Sequence, residues 1–71
     1  MSQELMSIIS RVLKTKITAT TKLREYPTWS SLNHMLIIME IEDAFDMDLK
    51  DEILHKIPAS TIGELEELIK Q

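Results

Sequence analysis

Two serines, Ser30 and Ser31, stand side by side at the mouth of the most apolar run in the chain, and His34 follows one helical turn later. A nucleophilic serine needs a base within hydrogen-bond reach, a group that orients the base, and donors for an oxyanion. Only His34 and His55 could serve as that base, no acid is spaced to orient either, and the one glycine, Gly63, lies far downstream. The pattern argues against a Ser–His hydrolase, and the protein is expected not to be an enzyme. His34 reads as partly buried beside the core and His55 as a surface residue.

Metal and nucleotide chemistry fare no better. "DMDLKDE" opens like a calcium loop, with Asp46 and Asp48 at its first and third positions. Its fifth, sixth and twelfth positions then fall to Lys50, Asp51 and Ile57, where such a loop needs an oxygen ligand, a glycine and a bidentate glutamate. The segment is read as a solvated acidic turn, and no metal site is expected. The absence of cysteine removes disulfides and thiolate ligands. No glycine-rich loop is present to cradle a phosphate. Tyr26, Trp29 and Phe45 are not interleaved with basic residues as base-stacking surfaces are. What remains for the serines is capping and attachment. One serine suffices as a helix cap. A second stands exposed at a helix N-terminus, where open N–H groups and the dipole favour an anion, so a phosphate ester on Ser31 would be well placed.

The elements that position these residues are helical in period. Leu5, Ile8, Ile9, Val12 and Leu13 predict a helix from about Ser2 to about Lys14, with Ser2 as its cap. "TKITATTKLREYPTWS" has no period and reads as a long extended loop, pinned to the core by Leu23 and Tyr26. A second helix is expected from about Ser31 to about Phe45, capped by Ser30. A short third helix covers about Asp51–Ile57, with Ile53, Leu54 and Ile57 inward and Pro58 ending it. The last helix starts at Thr61, where Thr61 and Glu64 fit a capping box, and turns Ile62, Leu65, Leu68 and Ile69 to the core. The fold class is therefore all-α: a small four-helix bundle of three main helices and one short one, with a long first loop.

The second helix carries two apolar faces. At about 100° per residue, Leu32, Met35, Leu36 and Met39 fall on one side, and His34, Ile37, Ile38, Ile41 and Phe45 on the other. A surface helix needs one buried stripe. The stiff Ile/Phe side is the better core candidate. The adaptable Leu/Met side, flanked by Glu42, Asp43 and Asp46, suits a partner surface. The competing reading is a central helix with both faces buried, for which so short a chain leaves few covering residues.

The 71 residues make one domain with a modest core. The start of the chain lacks a basic signal-peptide pattern, and no apolar run approaches the ~20 residues of a membrane span, so a cytoplasmic protein without membrane insertion is expected. Net charge is −4, unevenly spread. Residues 1–24 hold Arg11, Lys14, Lys16, Lys22 and Arg24 against Glu4 alone, while the other eleven acids face only Lys50, Lys56 and Lys70. The acidic part repels nucleic acid and attracts basic partners. The Leu/Met stripe is small, so a monomer is expected.

"WSSLNHMLIIMEIEDAFDMDL" resembles the attachment region of acyl carrier proteins, a phosphopantetheine-carrying family. Their pattern there is Asp-Ser-Leu, often preceded by Trp, then an apolar helix with paired acids and a Phe. Trp29, Ser31, Leu32, Ile37, Ile41, Glu42, Asp43 and Phe45 fit it, and "ITATTKLRE" and "TIGELEELI" resemble the flanking family segments, so the likeness covers nearly the whole chain. The resemblance implies a four-helix bundle bearing 4′-phosphopantetheine, taken from coenzyme A and joined as a phosphodiester to Ser31, with Ser30 as the flanking cap. The arm's thiol would hold an acyl group as a thioester. Implied partners are a phosphopantetheinyl transferase and acyl-loading, condensing or acyl-transfer enzymes with basic docking patches. Leu32, Met35, Leu36 and Met39 would form the apolar contact, and Glu42 with Asp43 the acidic pair. Fatty-acid or polyketide biosynthesis is the implied setting, and the form most resembles small stand-alone carriers. An aminoacyl or D-alanyl carrier, or an unmodified helical adaptor of the same fold, are the alternatives. The sequence departs from the pattern at Ser30, where the family has Asp, at Leu36, where an acid is common, and in its basic first third. The Ser30 departure implies that modification of Ser31 is slow or needs a dedicated transferase.

Overall fold

The apolar rows read from the sequence close on one another in the computed structural model, which describes residues 2–70 and, at Ser2, the backbone alone. Four α-helices form: α1 Ser2–Leu13, α2 Ser31–Ala44, α3 Asp51–Lys56 and α4 Ile62–Lys70. Among the described residues there is no strand. The cap expected at the Ser2 side chain lies outside the described residues. α1 packs against both α2 and α4. Leu5, Ile9 and Leu13 of α1, Ile37 and Ile41 of α2, and Leu65 of α4 are sealed from solvent, and Ile57 and Leu23 close the core from the connecting segments. The radius of gyration is 10.7 Å, against about 11 Å for a compact chain of this length.

α1 stops at Leu13, one residue earlier than expected, because Lys14 takes a left-handed conformation with φ 55°. The Ser10 hydroxyl donates to the Thr15 carbonyl and ties the exit down, at 2.9 Å. The long loop is pinned by Leu23 and Tyr26 as expected, and by Ile17 as well, an isolated apolar residue with no periodic neighbour to announce it. Tyr26 Oη accepts the Thr18 N–H at 2.9 Å. Residues Leu23–Glu25 form a 3-10 turn that no period announces, and Leu23 N–H donates to the Ser60 carbonyl at 3.0 Å. The loop is thereby stitched to the α3–α4 connection.

α2 ends at Ala44 with Phe45 as its cap residue. Asp46 follows with φ 50°, and Met47 N–H donates back to the Glu42 carbonyl at 3.1 Å. This is the backbone pattern that usually recruits glycine after a helix; here a short polar side chain tolerates it. α3 is a turn and a half and buries no residue fully: Ile53 and Leu54 are half-buried. The chain keeps winding past Lys56 as a 3-10 turn, Ile57–Ala59, so Pro58 sits inside that turn and does not end the winding. Proline fits there because the first N–H groups of such a turn have no internal partner. Ser60 is buried, and its hydroxyl donates to the Lys56 carbonyl at 2.7 Å. α4 opens on the expected capping box: Glu64 Oε1 accepts Thr61 N–H at 2.9 Å, and Thr61 Oγ1 accepts Glu64 N–H at 3.3 Å. The Thr61 backbone N–H, then its hydroxyl, hold the Glu64 carboxyl below its ordinary pKa.

Candidate functional site

The residues singled out in the sequence gather at the start and along the outer face of α2. Ser30 is the N-cap, in extended conformation, and its Oγ accepts the Asn33 N–H at 3.1 Å. His34 N–H donates to the Ser30 carbonyl at 2.9 Å, the first bond of the helix. Asn33 Nδ2 reaches back to the Thr28 carbonyl at 2.8 Å, and Trp29 N–H donates to the Tyr26 carbonyl at 2.9 Å. Since Tyr26 is buried, the approach from Tyr26 to Ser30 is fixed to the core by backbone and side chain together. Asn33 was not singled out from the sequence, although Asn three residues into a helix is a type that can bond back to the preceding loop.

Ser31 is the first residue of α2 and is exposed. Ser30 already caps the helix, so Ser31 Oγ is left with no hydrogen bond among the described residues. No hydrogen bond joins it to His34. The imidazole lies beside Trp29, with ring centroids 5.3 Å apart and the planes tilted by 37°. His34 is half-buried, as expected, but its Nε2 is wholly covered and has no partner among the described residues. His55 is exposed, also as expected.

Beyond Ser31 the two faces of α2 separate cleanly. Ile37 and Ile41 are fully buried, and Ile38 and Phe45 pack partly against the core. On the other side Leu32, Met35, Leu36 and Met39 are 66%, 61%, 38% and 60% exposed. The reading with both faces buried is therefore excluded. Met39 runs on into an open concavity shared with Glu42, Asp43, Asp46, Met47 and Asp48. The two acids expected to act as a pair are not equivalent. Asp43 is exposed, whereas Glu42 is half-buried and its Oε2 accepts the Leu49 N–H at 2.8 Å. Glu40, on the same helix, pairs with Arg11 of α1. Neither the Glu42 nor the Glu40 contact follows a local spacing, so neither was legible in the sequence. Among the described residues, no group of three or more His, Asp or Glu could hold a metal ion, and no helix is long and apolar enough to cross a membrane. No family model, curated protein or solved structure matches the chain.

Proposed function

We propose that this protein is a carrier of the acyl carrier type, with Ser31 as the attachment point of a 4′-phosphopantetheine arm. The observation that carries the reading is the division of labour between the paired serines. Ser30 caps α2, while Ser31 presents an exposed hydroxyl beside a helix face whose Leu and Met residues stand exposed. The residues fit the group. Helix N-termini leave their first N–H groups without internal partners. Ser30 Oγ takes that of Asn33, and those of Ser31 and Leu32 have no partner among the described residues at the positive end of the helix dipole, where an anionic phosphodiester is favoured. The arm supplies a thiol that holds the cargo as a thioester.

The chain's own residues then orient and advertise the arm. The Tyr26–Ser30 segment and the Asn33 clamp hold Ser31 in a fixed place. Leu32, Met35, Leu36 and Met39 offer a deformable apolar contact, and Asp43, with the outward part of Glu42, steers a basic patch of a loading, condensing or acyl-transfer enzyme. Such a carrier performs no chemistry of its own. An aminoacyl or D-alanyl group would be carried in the same way. Ser30, standing where the resembled family has Asp, favours one further reading, an unmodified helical adaptor.

Intact-protein mass spectrometry after incubation with coenzyme A and a promiscuous phosphopantetheinyl transferase tests the proposal. A single adduct that is lost in Ser31→Ala and kept in Ser30→Ala is the expected result. An adduct lost only in Ser30→Ala would move the attachment by one residue. No adduct with any transferase tried, including one from the native host, would leave the adaptor.

A further inference from the structure

The polar side chains that flank Ser31 are spoken for, with one exception. Ser30 Oγ and Asn33 Nδ2 are both engaged in closing the helix start. His34 Nε2 is covered on all sides and bonded to nothing among the described residues. Buried polar atoms are almost always paired, and leaving one unpaired is costly. On a helix, residues three apart have Cβ atoms about 5–6 Å from one another, so the imidazole stands within a side chain's reach of a group esterified to Ser31. Its ring lies against Trp29 in a tilted aromatic pair. His34 is only half-buried, and the first bond of the helix is made by its backbone N–H, so a turn of the side chain would leave that bond in place.

We infer that His34 is a positioning residue for the arm: once Ser31 carries its phosphodiester, the imidazole turns from Trp29 and donates from Nε2 to a non-bridging phosphate oxygen. This rests on the carrier reading. A hydrogen bond to an ionised oxygen outweighs a tilted aromatic contact, and it removes the unpaired atom. The consequence is an arm fixed at its root and mobile beyond it, so the thioester sweeps a limited sector next to the Leu/Met stripe.

The test uses protein labelled with 15N at histidine, before and after modification with coenzyme A and a transferase, with the adduct verified by mass at one fixed pH. The expected results are a displaced Nε2 resonance for His34, a changed emission from Trp29, the only tryptophan, and a 31P line away from that of a free phosphodiester. His34→Gln, which keeps a donor, should retain most of the 31P displacement, and His34→Ala should lose it while circular dichroism reports an unchanged fold. Identical Nε2 and Trp29 signals in the unmodified and fully modified protein would overturn the inference. Absence of any adduct would instead remove the carrier reading. A phosphoserine encoded at position 31 then isolates the question of His34: a displaced Nε2 resonance supports its role toward a phosphate oxygen, and an unmoved one ends it.

Discussion

Ser30 Oγ accepts the Asn33 N–H without bringing a negative charge to the start of α2. Ser30→Ala is expected to cost about 1 kcal/mol, the usual loss for an N-cap, read from the midpoint of urea unfolding. Ser30→Asp keeps the cap, so stability should hold. The resemblance ties an aspartate at this place to recognition by the transferase, so if the carrier reading holds the same variant should be modified faster; an unchanged rate would refute the role given to the position. At this scale the sequence was legible wherever a residue type has one local use. Ser30, Thr61 and Glu64 are types that cap helix starts, and each makes the capping hydrogen bond its type implies. The left-handed turns at Lys14 and Asp46 carry no such signal, because the usual one is a glycine and neither is one. The unpaired Nε2 of His34 had no signal either, since it depends on where Trp29 comes to rest.

Among the elements, α2 gives the sharpest contrast between faces. Ile41→Ala is expected to cost about 2–5 kcal/mol, as a buried large-to-small change does, while Met39→Ala, on a surface, should stay within about 0.5 kcal/mol. If the carrier reading holds, Met39→Ala should nonetheless weaken binding of a partner enzyme. Equal costs at the two positions in denaturant titrations would undo the assignment of faces. α4 supplies a pH dependence. The Thr61 hydrogen bonds lower the folded pKa of Glu64 relative to the unfolded chain. Their stabilisation is therefore complete above the ordinary glutamate range and fades as pH falls through the lowered folded value. Glu64→Gln should flatten that part of a stability profile measured by thermal unfolding in acid. Periodicity made these helices readable, since each face repeats within a few residues. It could not show that Glu42 turns inward to the Leu49 N–H across a turn, nor that the loop is stitched through Leu23 to Ser60. Those contacts join residues that no local pattern links.

For the molecule as a whole, the exposed stripe must be weighed against what self-association demands. A stable interface takes roughly 800 Å² from each partner, about a sixth of the 4669 Å² this chain exposes. Four partly exposed side chains fall short of that unless much of the acidic surface around them is buried too, and two copies of that surface repel each other. Sedimentation velocity should show one species of about 8.2 kDa at micromolar and millimolar concentration alike; a concentration-dependent shift abolished in Met39→Asp would show that the stripe pairs with itself.

Exposure of methionine has a price in an oxidising environment. Met35 and Met39 stand 61% and 60% exposed, Met47 is half-buried, and the chain has no cysteine to intercept oxidant first. Conversion to the sulfoxide turns a soft apolar side chain polar. Mild peroxide should therefore mark Met35 and Met39 ahead of Met47 in peptide maps, with the helical spectrum intact. The damaged protein would stay folded; on the carrier reading it would still accept its arm but would present a wetted face to a partner enzyme, and a methionine sulfoxide reductase would restore it.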